Sequence, residues 1–280
     1  MCASYDPLSV CMEMYPLNFV KPGIVFIFNN MTFGHRSLSF RAGSDKDVQR
    51  LFDTFGELNF DVECYIDKTA KELRTCISKI IREVDFTNID SVLMFIMSHG
   101  RDNKIFGTDG EELYLSEFVE PLKSVNSLKN KPKIFFINAC RGNMMAPTHD
   151  SYTPQAMVEM DAQEGAHNLN AAVSKTPLDA DILLAFSTVA NYFSIRESEY
   201  GSWYIQILCD MIDKFKTTNH LVDILTCVNA GVARKEDSFE NRHGQNQNVK
   251  MMSTYTSQLK KNFYLTRPSS HVKLNISLTF

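Results

Sequence analysis

The stretch Lys133-Ile134-Phe135-Phe136-Ile137-Asn138-Ala139-Cys140-Arg141-Gly142 constrains the fold more than any other part of the chain. Four consecutive apolar residues, entered through Pro132-Lys133 and left through Gly142, read as a strand buried on both faces. A half-solvated strand would alternate instead. Cys140 then falls just past the carboxyl end of that strand, where open α/β sheets build their sites. Val92-Leu93-Met94-Phe95-Ile96-Met97 is a second such run and ends in the same manner, at Ser98-His99-Gly100. Neighbouring strands that finish in His99 and Cys140 bring an imidazole beside a thiol, the pair a cysteine nucleophile requires.

The flanking segments extend the pattern. Gly23–Phe28 predicts a first buried strand, followed by the polar Asn29-Asn30. Val48, Leu51, Phe52, Phe55 and Leu58 recur at helical spacing over residues 45–58. Asp61–Ile66 reads as a short strand, and Thr69 is placed to cap a helix carrying Leu73, Ile77, Ile80, Ile81 and Val84. Asp109-Gly110 marks a hairpin turn, and a helix over Ser116–Lys123 leads to the central strand. Asp181–Phe186 predicts a fifth buried strand, with two amphipathic helices after it. The first carries Trp203, Ile207, Leu208, Met211, Ile212 and Phe215, and the second Leu221, Ile224, Leu225, Val228 and Val232. Arg242–Asn248 reads as an exposed polar loop, residues 249–265 as a last strand, and His271–Phe280 as an alternating edge segment. Strands alternating with helices predict an α/β fold with a mostly parallel sheet and helices on both faces.

Composition narrows the function classes. A net charge of −4 leaves no basic footprint for nucleic acid, and no apolar run approaches the roughly 18 residues of a membrane span. The first residues lack a basic region followed by an apolar one, so no signal peptide is expected. The seven cysteines are irregularly spaced with no C-x-x-C pair. That suits reduced thiols in a cytoplasmic chain, with neither a disulfide framework nor a metal or other cofactor site expected. From Asn143 to Pro177 the apolar period stops, and so long a loop within a compact pattern is usually functional or disordered.

Asn-Ala-Cys-Arg-Gly differs by one residue from the caspase signature Gln-Ala-Cys-Arg-Gly, whose partner His lies about 50 residues upstream. Here Ser-His-Gly stands about 40 residues before the cysteine. The chain therefore resembles the caspases from about Gly23 to Leu265. The resemblance implies a caspase-like, three-layer α/β/α sandwich with a Rossmann-like sheet. It also implies an organisation into a short leading segment (1–20), a large-subunit part (21–142), an intersubunit linker (143–177), a small-subunit part (178–265) and a tail (266–280). A leading segment of that length resembles the short-prodomain, executioner type.

By the same resemblance Cys140 is the nucleophile and His99 the general base and acid, and the backbone N–H groups of Gly100 and Cys140 form an oxyanion hole. Ser39-Phe40-Arg41-Ala42-Gly43-Ser44 resembles the loop that supplies one arginine to the pocket for an Asp before the cut, and Tyr192-Phe193-Ser194-Ile195-Arg196 the loop that supplies the other. Asn138 replaces the family's Gln in that pocket, and Ser194 falls beside it on the matching loop. Ile195 stands where executioner enzymes have an aromatic wall for the next subsite. Trp203, the sole tryptophan, maps to the outer peptide subsites or serves as an ordinary core aromatic. Asp161, in Val158-Glu159-Met160-Asp161-Ala162, is the expected processing site, with Asp150 a second. Implied partners are protein substrates with Asp at P1, a second copy in a dimer, upstream initiator caspases and inhibitor-of-apoptosis proteins. The expected activity is a cysteine endopeptidase released from a zymogen and acting in apoptosis. The competing expectation is an inactive homologue that binds and tunes active relatives.

Overall fold

The two apolar runs lie next to each other at the centre of a six-stranded sheet. The structure is a computed structural model and describes residues 13–142, 179–240 and 246–268. β1 (Gly23–Asn29), β2 (Asp61–Ile66), β3 (Ser91–Met97), β7 (Lys133–Asn138) and β8 (Ile182–Phe186) run parallel. β13 (Thr254–Ser257) closes one edge antiparallel to β8, and the order across the sheet is β13-β8-β7-β3-β1-β2.

Because side chains alternate across a strand, each apolar run feeds two cores. Val25, Ile27, Leu93, Phe95, Ile134 and Phe136 face one layer, built by α1 (Ser44–Glu57), α4 (Trp203–Phe215) and α5 (Leu221–Arg234). Phe26, Phe28, Met94, Ile96, Phe135 and Ile137 face the other, built by α2 (Ala70–Glu83) and α3 (Ser116–Lys123). This is the expected three-layer α/β/α arrangement, and it explains the unbroken hydrophobic runs. Phe95 and Phe136 stack across β3 and β7 with ring centroids 4.5 Å apart. Thr69 caps α2 in a reciprocal box with Glu72, satisfying two backbone donors at the helix start.

The structure departs from the sequence-based expectation in three places. A small sheet of β4 (Gly100–Arg101), β5 (Lys104–Phe106) and β6 (Glu112–Tyr114) adds a strand before the expected hairpin. Within the stretch expected to be an exposed loop, β12 (Asn246–Val249) pairs antiparallel with β11 (Asp237–Glu240). The two strands hold only Phe239 and Val249 as apolar residues, so their sequence carries no alternation to detect. The last strand is also shorter than expected. Phe263 and Leu265 are buried as loop residues, and Asn262 bridges to Met14. A second short ribbon, β9 (Arg196–Glu197) with β10 (Gly201–Ser202), precedes α4. No helix among the described residues is long and apolar enough to cross a membrane. Asp150, Asp161, the whole 143–177 linker and the tail from 269 onward lie outside the described residues.

Candidate active site

β3 and β7 are hydrogen-bonded neighbours, with Met97 opposite Asn138. Their carboxyl ends therefore release His99 and Cys140 at the same rim of the sheet. Both residues line a cleft of about 150 Å³ together with Arg41, Asn138, Ser194 and Arg196. His99 Nε2 lies 2.8 Å from the Ser39 carbonyl oxygen. A carbonyl only accepts, so Nε2 carries the hydrogen and the lone pair of the neutral ring falls on Nδ1. Phe33 packs on the imidazole at 4.9 Å between centroids. Burial lowers the pKa of His99 below its ordinary value, Arg41 and Arg196 push the same way, and the bond to Ser39 opposes them. The ring is thus held neutral, as a base must be.

Gly100 is required by close approach. A Cβ there would sit 2.7 Å from the Lys104 carbonyl and 3.0 Å from both Ala139 Cβ and the Cys140 carbonyl. The absent side chain is what lets the His99 turn lie directly on the Cys140 turn. The Ser194 N–H points at Cys140 Sγ from 3.5 Å. Elsewhere burial pushes the Cys64 thiol up to about 11 and the Cys209 thiol to about 12, so both remain protonated. Arg141, although part of the signature, turns away from the cleft. Its guanidinium lies 4.1 Å over the Phe186 ring, and its backbone N–H and C=O both bond the loop after β8.

Two guanidiniums border the cleft. Arg41 is only 2% exposed and uses one terminal nitrogen to bond the Asn30 carbonyl (2.7 Å), Ser44 Oγ (3.1 Å) and Asn29 Oδ1 (3.2 Å). Arg196 anchors its Nε on the Ala42 carbonyl at 2.7 Å. Burial, then the neighbouring Arg196 cation, pulls Arg41 down to about 9, which still leaves it charged at neutral pH. Burial lowers Arg196 as well. Asp47, fully buried in α1, is the carboxylate that favours both charges. It accepts the Ser202 N–H at 2.9 Å and Gln206 Nε2 at 2.9 Å, and burial raises its own pKa to about 6. Asn138 donates to Ser202 Oγ at 2.9 Å and accepts from Ser194 Oγ at 3.1 Å. The shorter amide is therefore held at both ends by the protein. The result is a thiol beside a neutral imidazole, with two desolvated cations poised for an anion. A larger cavity of about 460 Å³ between α3 and β8 contains neither thiol nor imidazole among its lining residues.

A family model described as the caspase domain matches residues 22–264. The chain is a member of the caspase family. It is 34% identical over 253 residues to caspase-3 of Bos taurus, covering 88% of this chain and 87% of that protein. It is 33% identical over 246 residues to caspase-6 of Bos taurus, covering 84% and 80%. Among solved structures it is similar to caspase-1 from Spodoptera frugiperda, with a TM-score of 0.77 at 26% identity over 93% of this chain and 96% of that one.

In this caspase the structure gathers His99, Cys140, Arg41, Asn138, Ser194 and Arg196 at one cleft, with Gly100 packed against its floor. Ile195 turns toward the core of the α1, α4 and α5 layer, its N–H directed at Met251 Sδ. Trp203 takes up the core setting. It is 2% exposed in the same core, and it also lines a separate cavity with Glu197 and Lys235. Sequence reasoning missed Asp47, Ser202 and the Ser39 carbonyl. Asp47 carried a weak signal, an acid at a position where the helical stripe of α1 turns inward. The other two act through backbone or hydroxyl groups that no motif marks.

Proposed function

We propose that this caspase is a cysteine endopeptidase that cuts proteins after Asp, is released from a zymogen by cleavage in the 143–177 linker, and acts in apoptosis. The observation that carries the reading is the pair of buried guanidiniums sharing a cleft with Cys140 and His99. Two desolvated cations face one buried carboxylate, Asp47, which is already engaged by Ser202 and Gln206. A substrate carboxylate supplies the missing charge through forked, charge-assisted hydrogen bonds.

In the reaction His99 Nδ1 takes the Cys140 thiol proton as the sulfur attacks the scissile carbonyl carbon. Backbone N–H groups of Gly100 and Cys140 serve the developing oxyanion. Collapse expels the amine, which receives its proton from His99, and water then hydrolyses the thioester with His99 again as base. The Ser39 carbonyl stabilises the imidazolium formed in between.

Asp161 is the proposed processing site and Asp150 the second, cut by the chain itself or by upstream initiator caspases. The cut chain works in the cytoplasm as a dimer through the outer edge of β13, which pairs on one side only among the described residues. Ala162-Gln163-Glu164-Gly165 lacks the Pro of an inhibitor-of-apoptosis binding terminus, so no contact with those inhibitors is proposed through it. The test is turnover of fluorogenic tetrapeptides ending in Asp, with Cys140→Ala beside the wild type. Loss of at least about 10³-fold in the variant is expected. No turnover by a folded, linker-cleaved wild type would refute the reading.

A further inference from the structure

Asn138 ends β7 just before Cys140 and is only 2% exposed. Its amide is engaged at both ends. Nδ2 donates to Ser202 Oγ at 2.9 Å, and Oδ1 accepts from Ser194 Oγ at 3.1 Å. The Ser202 end is fixed: that residue is buried, caps α4 by accepting the Ile205 N–H at 3.3 Å, and gives its own N–H to Asp47. Buried groups therefore orient the amide, and its carbonyl oxygen holds the Ser194 hydroxyl.

Ser194 in turn sits on the sulfur. The loop after β8 runs beside the signature turn, with the Arg141 N–H on the Tyr192 carbonyl and the Asn191 N–H on the Arg141 carbonyl, each at 3.0 Å. The Ser194 N–H meets Cys140 Sγ at 3.5 Å, and among the described residues no other hydrogen bond reaches that sulfur. The charged and titratable groups of the cleft come from other elements: His99 after β3, Arg41 before α1 and Arg196 on β9. A cation favours a negative sulfur whatever its orientation, whereas an N–H does so only when aimed at it. That aim depends on where the Ser194 loop is held, and the hydroxyl–amide bond is what holds it.

We propose that Asn138 and the Ser194 hydroxyl position the nucleophile: the bond between them keeps the Ser194 N–H on Cys140 Sγ, where that N–H stabilises the thiolate. The proton leaving the sulfur goes to His99 Nδ1. The same N–H receives the thiolate again when water has added to the thioester carbon and the C–S bond breaks. The inference rests on Cys140 being the nucleophile, and it gives Asn138 a task beyond lining the pocket.

Alkylation by iodoacetamide, followed at the Cys140 peptide by mass spectrometry from about pH 5 to about pH 10, tests this without turnover. Ser194→Ala should move the alkylation limb up by about one pH unit, a roughly tenfold loss of thiolate below it. A more basic thiolate is also a better nucleophile. Alkylation should therefore be about threefold slower below the limb and about threefold faster on the plateau, so that the two curves cross. Asn138→Ala should act alike, and the double variant should move the limb no further than either single change, because both break one bond. Ser194→Thr, which keeps the hydroxyl, should follow the wild type. An unmoved limb, a rate change uniform across pH, or displacements that add in the double variant would overturn the proposal. In nitrogen-15-labelled wild type the Ser194 amide proton should also shift with pH in a step that Cys140→Ala abolishes. A step that persists in Cys140→Ala would equally overturn it, even where a loop variant fails to fold. Failure of the peptide-cleaving reading would show instead as absent turnover with the alkylation curves as expected.

Discussion

Arg196 lines the cleft as a cation that depresses His99, and in the proposed reading it also binds the substrate carboxylate. Arg196→Gln should lower kcat/KM for peptides with Asp at P1 by about 10²-fold or more, through loss of a charged fork. It should also move the acid limb of Cys140 alkylation by iodoacetamide, a neutral reagent that needs no arginine pocket. With the cation gone, the imidazolium costs less and the His99 pKa climbs, so the base is lost at a higher pH than in the wild type. The stability sign follows from the same depression. Below its ordinary pKa an unfolded His99 takes up a proton that the folded one refuses, so acidification through that window removes stability. Asp47 runs the other way. Its folded pKa of about 6 exceeds the ordinary 3.8, so folded protein gains protons between those values and the destabilisation it carries at neutral pH is relieved. An alkylation limb that does not shift in Arg196→Gln would separate that residue from the base.

At the scale of elements, the joint between α1 and the β9–β10 ribbon decides where Arg196 stands. Gly201 has φ +96°, and a Cβ on it would lie 2.4 Å from Asp47 Oδ1 and 2.6 Å from Gln206 Nε2. Gly201→Ala combines left-handed strain with a pushed-apart buried hydrogen-bond set. It should cost roughly 2–4 kcal/mol in urea unfolding and raise KM for Asp peptides, because Ser202 carries the Asn138 amide. Gly56 is the matched control. It lies in the last turn of α1 with nothing within 4 Å of an added Cβ and no positive φ, so Gly56→Ala should stabilise by about 0.5–1 kcal/mol. Two equal losses would show that the ribbon tolerates a side chain and that the joint is not rigid. Helix α2 shows how much of an element was legible. Its apolar stripe and its Thr69–Glu72 box are local signals, whereas β11 and β12 hold only Phe239 and Val249 as apolar residues and left no period in the residue pattern.

Across the whole molecule, the segment before β1 straps the far edge of the fold. Tyr15 is buried, its hydroxyl donating to Asp181 Oδ1 at 2.6 Å and accepting the Lys260 N–H at 3.0 Å, while Lys260 Nζ pairs with the same carboxylate. Burial, reinforced by Asp181, drives the Tyr15 hydroxyl far above its ordinary pKa. Asp181 itself adopts φ +66° just before β8, at the end of the strand opposite the catalytic rim. Tyr15→Phe leaves a buried carboxylate short of a donor and should cost about 1–3 kcal/mol, read as a lower urea midpoint at unchanged slope, with kcat/KM preserved. A changed kcat/KM would mean that the strap reaches the active site. The first twenty residues offered no period, and nothing local in Met14-Tyr15-Pro16 announces a partner more than 160 positions away.

Hydrophobic period and a short signature were enough to establish an α/β sheet, the two central strands, the placement of His99 and Cys140 at their ends, and membership of the caspase family. Those features are local, written in neighbouring residues by burial on both faces of a strand and by the need for a thiol, an imidazole and a glycine at a tight turn. Tertiary structure alone decided which buried carboxylate favours the charge of the guanidiniums, which carbonyl sets the His99 tautomer, and how a shortened Asn138 amide is held by Ser202 and Ser194. Each of these depends on groups distant in the chain meeting within hydrogen-bond or ion-pair reach in a desolvated space, and no periodicity encodes such a meeting.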